Sequence, residues 1–369
     1  MDFTLDEELE AVRALANQIF ADRATTERVR EVEGSPGRLD EELWAELGKA
    51  GLLGIALPEE AGGAGLGLGA LCVLLEEQGR HVAPVPLWPA AVGALAVAAH
   101  GTPEQRESLL PAAADGSSRL TVALEEFGPA DPATPRCTAR RQSDGWRLTG
   151  VKAVVPSPFG AGHVLVSAAA EGVPGLFLVA CDAEGVSWEA EETTTHDLAG
   201  TLTLDDAPAQ AVGAPGDGAV AWTIERAALA LAAVQLGVAQ GAIRHAVTYL
   251  SERKQFGRPL GTFQAVQHQL ADCYIDVDAI RVCLWQAVTS LREGGDAAAA
   301  VLVAKWWAGD AGLTVAHRVQ HVHGGIGVDV DYPVHRHFLW ARQISGTLGG
   351  PSADLAKLGA VIAAGRIPE

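Results

Sequence analysis

Cysteine is scarce in this chain and shows no pattern. Cys72, Cys137, Cys181, Cys273 and Cys283 are odd in number and contain no CxxC pair. They read as small core residues of a reducing compartment, neither a disulfide framework nor a zinc site. Cations are also in short supply, with 27 Lys and Arg against 46 Asp and Glu, a formal net charge of −19. Nucleic acid and anionic membrane both need clustered cations, so neither is expected as a partner. No apolar run reaches the ~20 uncharged residues of a membrane span. The first residues, Met1 to Glu8, are acidic where a signal peptide would be basic. Repeats and low-complexity tails are absent from the sequence, and a cytoplasmic enzyme is the expectation.

What is present is ordinary globular composition, 48% hydrophobic and 20% charged over 369 residues, enough for two or three packed units. Residues 1–118 read as helices. Thr4 and Glu7 have the spacing of a capping box, and Leu5, Leu9, Val12, Ala16 and Ile19 follow at helical period. A second helix is expected from Glu41 to Ala50, ending at Gly51. The glycine-rich run from Pro58 to Gly69 interrupts the pattern before Leu71 to Gly79 resumes it.

Residues 119–213 change to period two. Val164/Val166, Leu176/Leu178 and Leu202/Leu204 alternate, and Asp144-Gly145 and Glu171-Gly172 supply turns. Short strands without intervening helices predict a compact antiparallel sheet folded on itself. Residues 214–369 return to helix. Ala221 to Leu250 is apolar or small nearly all round, the mark of a buried helix. Further helices over about 263–291, 296–322, 332–344 and 352–364 would complete a bundle. The fold class is therefore α+β, mostly α.

Gly62-Gly63-Ala64-Gly65-Leu66-Gly67 contains GxG, but helices flank it where a dinucleotide site requires a preceding strand. A hinge between helices is the expectation. Two other segments are more specific. Arg253-Lys254-Gln255-Phe256-Gly257, with Phe263-Gln264 downstream, places an arginine one turn before an expected helix end at Gly257, beside an aromatic. That pairing suits a phosphate and an apolar ring; the plainer reading is a capped helix end with a solvated arginine. His321-Val322-His323-Gly324-Gly325-Ile326-Gly327 offers backbone amides that a ligand can approach closely. His317 and His321 are spaced i, i+4, but no carboxylate or thiolate cluster completes a ligand set, so no metal is expected.

Together these segments resemble the acyl-CoA dehydrogenase family, with its R-x-x-F-G, downstream F-Q and H-G-G-x-G turn. Two further landmarks extend the resemblance over the whole chain: Pro58-Glu59-Glu60-Ala61-Gly62-Gly63 for P-E-x-x-G-G, and Trp146-Arg147-Leu148-Thr149-Gly150-Val151-Lys152 for W-x-L-x-G-x-K. The resemblance implies an N-terminal helical domain, a middle β domain and a C-terminal helical bundle. It implies FAD as cofactor, an acyl-CoA thioester as substrate, and desaturation of its Cα–Cβ bond. It also implies that Arg253, Gln255, Phe256, Gln264, His321, Gly324 and Gly325 reach toward FAD held mainly by a neighbouring subunit, His321 standing where glutamine is usual.

The positions that would cradle this chain's own flavin differ. The family's T-E-P-G-x-G-S-D appears as Glu125-Glu126-Phe127-Gly128-Pro129-Ala130-Asp131, W-I-T as Val154-Val155-Pro156, and E-G-T as Gly349-Gly350-Pro351. Both the C-terminal catalytic glutamate and a flavin-contacting threonine are lost. Some family members carry the base on the first bundle helix, where this chain has Glu225, expected there as a desolvated carboxylate with a raised pKa; the plain alternative is a structural pair with Arg226. The asymmetry resembles one subunit of the heterotetrameric (α2β2) actinobacterial dehydrogenases, several of which act on steroid side-chain thioesters. Two other readings remain at this stage: a non-catalytic scaffold subunit, and a flavin monooxygenase on the same fold.

Overall fold

The computed structural model describes residues 5–143 and 145–365. Thr4 of the expected capping pair and Asp144 of the expected turn lie outside them. Helix α1 (Glu7–Arg23) is capped by Asp6, whose carboxylate accepts the Leu9 amide at 2.9 Å. It buries Val12, Ala16 and Ile19 as the period requires, and Phe20 with them. The helices α2 (Thr26–Glu33), α3 (Glu41–Lys49), α4 (Gly67–His81), α5 (Leu87–His100) and α6 (Pro103–Asp115) follow. Helix α4 starts at Gly67, four residues earlier than the sequence pattern suggests. Helix α6 carries the full reciprocal box, with Thr102 and Gln105 each bonding the other's backbone amide, at 3.2 and 3.0 Å.

The chain packs as two compact units. One comprises Arg30–Leu71 and Pro84–Ala227 and is centred on a sheet. Its strands are β1 (Leu120–Ala123), β2 (Thr138–Gln142), β3 (Gly145–Pro156), β4 (His163–Ala170), β5 (Val173–Ala180), β6 (Val186–Glu192) and β7 (Leu198–Val212). The order is β1-β4-β2-β3-β7-β5, with β6 also on β7, and an additional β4–β5 ladder folds the sheet back on itself. One expectation needs correction: β1 and β2 pair with β4 in parallel, so the sheet is mixed. No helical crossover is needed, because the β2–β3 hairpin itself carries the chain from β1 round to β4.

The expected turn at Glu171-Gly172 is a two-residue hairpin loop with both residues at positive φ, 53° and 83°, and Ala170 pairs with Val173 across it. Leu148, Val164, Val166, Phe177, Leu202 and Leu204 fill the core between the folded halves. Leu165, on the opposite face of β4, is equally buried because α5 lies there. A Cβ on Gly93 of α5 would come within 3.2 Å of the Leu165 Cδ1.

The other unit comprises the chain through Val29, Cys72–Ala83, and Ala228 onward. Its later elements are the end of α7 (Ala219–Glu252), the ribbon β8 (Lys254–Gln255) and β9 (Arg258–Pro259), α8 (Gln264–Arg292), α9 (Ala298–His323), α10 (Val334–Gly346) and α11 (Gly350–Ala363). Helices α4 and α7 cross in backbone contact. A Cβ on Gly237 would lie 1.8 Å from the Glu76 carbonyl oxygen, and one on Gly79 would lie 2.0 Å from that of Val234. Helix α7 is long and apolar enough to span a membrane, yet 89% of its most apolar window is buried within the protein. It is a core helix.

Candidate functional site

The glycine cluster cannot receive a phosphate. The amides of Gly63, Ala64, Gly65 and Leu66 donate to the carbonyls of Pro58, Gly54, Leu57 and Ile55 at 2.9–3.1 Å. A Cβ on Gly63 would fall 2.2 Å from the Leu57 carbonyl oxygen. These glycines let the chain fold onto itself between helices.

In the bundle unit, α7 ends at Glu252, not at Gly257 as the sequence suggests. The segment from Arg253 to Arg258 forms the β8–β9 ribbon. Lys254 pairs with Pro259 and Gln255 with Arg258, and the two-residue tip is Phe256-Gly257 at φ 54° and 79°. A phenylalanine in the left-handed region bears a steric cost, and this one is also 90% exposed. Its ring meets the edge of Phe263, at 6.1 Å between centroids, while the Arg258 guanidinium covers the Phe263 face at 4.1 Å. Arg253 and Gln255 are exposed beside it, and Gln264 is the exposed first residue of α8.

The second segment closes α9. Gly324 turns the chain at φ 63°, and a Cβ on either Gly324 or Gly325 would meet nothing within 4 Å. Both glycines are exposed and their backbone is approachable. His321 is exposed and its Nδ1 lies 3.0 Å from the Gln269 Oε1 of α8. His317 packs edge-on against Phe338, with centroids 4.8 Å apart.

The structure brings these segments together through residues that belong to them but to which the sequence reading assigned no role. Tyr249, one turn before Arg253, stacks on His323, the residue before Gly324, with centroids 4.8 Å apart. His323 Nδ1 bonds the Val319 carbonyl at 2.7 Å, and the Tyr332 hydroxyl lies 3.5 Å from its Nε2. Gln269 similarly links His321 to the helix that carries Gln264. The only sequence signals were an aromatic and a histidine, each one turn or less from a glycine-marked end.

The sheet unit holds the other half of the motif set. Lys152 is fully buried and its Nζ lies 2.8 Å from Glu126 and 3.0 Å from the Ser167 hydroxyl. Glu126 also accepts the amides of Arg136 and Cys137 at 3.0 Å. Burial works to raise the Glu126 pKa, but the Cys137 amide, Lys152 and the Arg136 amide outweigh it and hold the carboxyl at about 2. Burial lowers the Lys152 pKa, opposed by Glu126. The pair therefore staples the shortened 125–137 loop to β3 as an ion pair. At the end of β3, Val154 sits at φ 49° and the Pro156 carbonyl accepts the Thr121 hydroxyl at 2.5 Å.

Glu225 lies in the second turn of α7. Its Oε2 is 2.9 Å from the Arg226 guanidinium, which covers Trp222 at 4.1 Å, and Trp222 meets His100 edge-on at 5.1 Å. The side chain is 30% exposed. The isolated, desolvated carboxylate expected from the apolar helix is thus replaced by a partly solvated, ion-paired one. At the C-terminal motif position, Gly349 and Gly350 take φ 119° and 76°, and Pro351 opens α11.

Sequence and structure comparisons fit this arrangement. The N-terminal domain model of acyl-CoA dehydrogenases matches residues 6–117, and the C-terminal domain model matches residues 216–356. The chain belongs to the acyl-CoA dehydrogenase family, and it is an FAD-dependent oxidoreductase of that class. Acyl-CoA dehydrogenase FadE27 of Mycobacterium tuberculosis is 37% identical over 98% of this chain and 99% of its own length. Among solved structures, the Tcur3481-Tcur3483 steroid ACAD G363A variant is 66% identical with a TM-score of 0.95, covering 98% of this chain and 99% of that one. The ChsE4-ChsE5 complex from Mycobacterium tuberculosis is 37% identical with a TM-score of 0.94, covering both chains completely.

The residues of the two bundle motifs fit a flavin. The displayed Phe256 ring, Arg253 and the open Gly324-Gly325 backbone can contact a cofactor approaching from outside. The Pro156 position offers no N–H to a flavin ring, and its carbonyl is already engaged by Thr121.

Proposed function

We propose that this chain is one subunit of a heteromeric acyl-CoA dehydrogenase and completes the FAD site of a homologous, more complete partner. The substrate class we assign is the CoA thioester of a steroid side chain or similarly bulky acid. The steroid ACAD at 66% identity and the ChsE4-ChsE5 complex at 37% support both parts of this reading. The observation that carries it is the Phe256 tip, an aromatic at 90% exposure held in a strained left-handed turn. An isolated chain gains nothing from that display, whereas a cofactor seated on a neighbour does.

When bound, FAD supplies the oxidant that accepts the β-hydride of the thioester. On this chain, Arg253 would pair with a phosphate through its planar fork of donors. Phe256 would cover an apolar ring face, and the backbone at Gly324-Gly325 would approach the cofactor without steric hindrance. Gln255, Gln264 and His321 would supply polar contacts, with His321 oriented by Gln269. Glu225 would take the α-proton if chemistry occurs on this subunit, with Arg226 holding the carboxylate in place.

A second reading has a specific observation behind it: Glu225, Arg226, Trp222 and His100 pack in one chain of contacts, as a non-catalytic scaffold subunit would retain. The test is to purify the chain alone and together with a homologous dehydrogenase subunit from the same source, then measure FAD per chain. The pair should hold flavin and the lone chain little or none. Stoichiometric FAD on the lone chain would sink the proposal.

A further inference from the structure

Two cofactor-facing segments of the bundle unit lie far apart in the chain, and three rings join them. Arg253 stands just past the end of α7, and Gly324 and Gly325 follow the last residue of α9. Both segments stand out toward solvent. Arg253 is exposed, and a Cβ on Gly324 or Gly325 would meet nothing within 4 Å. Backbone bonds tie each to its own helix. The Arg253 amide donates to the Tyr249 carbonyl at 2.8 Å, and the Gly324 amide donates to the His321 carbonyl. Such bonds set no distance between the two segments. A loose spacing would have to be frozen out as a cofactor bridged them, at a cost in affinity.

The rings set that spacing. Tyr249 and His323 lie with centroids 4.8 Å apart and planes 21° from parallel. Tyr332, just before α10, closes the third side, 5.4 Å from His323 and 6.3 Å from Tyr249. Each stacked ring is one short step from a cofactor-facing residue: the Tyr249 carbonyl holds the Arg253 amide, and His323 is bonded directly to Gly324.

His323 is itself held in place. It is 3% exposed, its Nδ1 donates to the Val319 carbonyl at 2.7 Å, and the Tyr332 hydroxyl lies 3.5 Å from its Nε2. Burial lowers its pKa, against the Val319 and His245 carbonyls, so the ring is neutral at pH 7 and stacks with no charge to desolvate. The turn beyond it folds back on the same helix. The Gln320 side-chain amide donates to the Gly327 carbonyl at 2.5 Å, and a Cβ on Gly327 would stand 2.8 Å from the Gln320 carbonyl oxygen.

We propose that Tyr249 and His323, backed by Tyr332, are positioning residues whose stack holds Arg253 and the Gly324-Gly325 backbone at the spacing a bound FAD requires. The role rests on the reading that these two segments meet a partner's flavin. Neither ring touches the cofactor; each acts through the residue it holds. The stack is complete before the cofactor arrives, so its worth is read in FAD affinity. Its loss should weaken binding by about three- to tenfold, the size of one aromatic pair converted to affinity.

The experiment uses the complex of this chain with a homologous dehydrogenase subunit from the same source, stripped of flavin and titrated with FAD by flavin fluorescence. Tyr249→Leu and His323→Leu should each weaken binding by about three- to tenfold. The double variant should bind about as well as the weaker single one, because either change removes the same stack. Tyr249→Phe and His323→Phe keep two stacked rings and should bind FAD as the parent does. Thermal unfolding of each flavin-free complex accompanies the titration. Leucine variants that lose stability yet bind FAD like the parent would show plain packing and overturn the positioning role. Full additivity in the double variant would overturn it as well. Where a leucine variant fails to fold, the phenylalanine variants decide: parent-like binding supports the stack, and weakened binding removes it. A parent complex that takes up no FAD removes the reading on which the role rests, whereas a parent that binds alongside unaffected variants removes the role alone.

Discussion

Glu225, Lys152 and Phe256 show how a single side chain's surroundings decide what it can do. Glu225 is tied to Arg226 at 2.9 Å, an ion pair that fixes where the carboxylate points. In the flavin-loaded complex, Glu225→Gln should lower turnover by about 10²–10⁴-fold with FAD content unchanged, as loss of a general base does. Near-normal turnover would reject the role. Lys152 is the opposite case, a cation at zero exposure whose charge is answered by Glu126. Lys152→Met removes the buried cation but leaves Glu126 its Arg136 partner at 3.2 Å, and should cost about 1–3 kcal/mol in urea denaturation. Pairing it with Glu126→Gln should recover part of that loss, and strict additivity of the two would argue against coupling. Phe256→Ala should change the chain's own stability by no more than about 0.5 kcal/mol, since the ring is outside any core. The same change should lower flavin retention by the paired complex, and unchanged retention would remove Phe256 from the cofactor contact.

At the scale of elements, the decisive contact is the crossing of α4 and α7. Alanine is the better helix former by about 1 kcal/mol, so propensity alone favours Gly237→Ala. The Cβ would, however, stand 1.8 Å from the Glu76 carbonyl oxygen, an atom of the neighbouring backbone that cannot step aside. Gly237→Ala should therefore lower stability by about 1–3 kcal/mol, the usual cost of overpacking. A thermal midpoint at or above the parent's would show that the helices can separate. This contact also marks where the sequence stops being readable. Periodicity was enough for α1 and α7, because Ala16, Ile19 and the apolar run after Ala227 state which faces are buried. It could not announce that Gly79 and Gly237 face one another, which depends on a crossing between helices far apart in the chain. The parallel β1–β4 ladder escaped for the same reason, since alternation shows which face is buried and says nothing of strand direction. The Arg253–Gly257 segment is subtler. Its residues read as ligand-facing types and are exposed, yet two residues at positive φ make a ribbon of what resembled a helix end.

For the whole molecule, pH is the revealing variable. An unfolded chain protonates histidine near 6.5, whereas His81 and His245 wait until about 4 in the fold and His337 is lowered too. Between those limits the unfolded state binds more protons, so stability is complete above pH 6.5 and declines as pH falls toward 4. Asp197, pushed up to about 6 by burial, acts in the opposite sense between about 3.8 and 6. Comparing the parent with His245→Asn separates the two. The variant's unfolding midpoint should fall less steeply between pH 7 and 5, and parallel curves would remove the histidine cluster as the cause. The motifs gave the family at this scale, because R-x-x-F-G and H-G-G-x-G are local strings. Three Arg-His pairs, Arg80-His81, Arg244-His245 and Arg336-His337, line one cleft of the bundle unit, and their meeting was not legible because they lie on three helices far apart in the chain.

The Phe256 tip has a consequence for heredity. A core residue is policed by its own chain, since any change is felt at once as lost folding. Phe256 touches little of its own molecule, so a substitution there passes that check unnoticed. Under the proposed pairing its fitness is judged by the partner's flavin, and the two genes are bound to drift together or be inherited as a block.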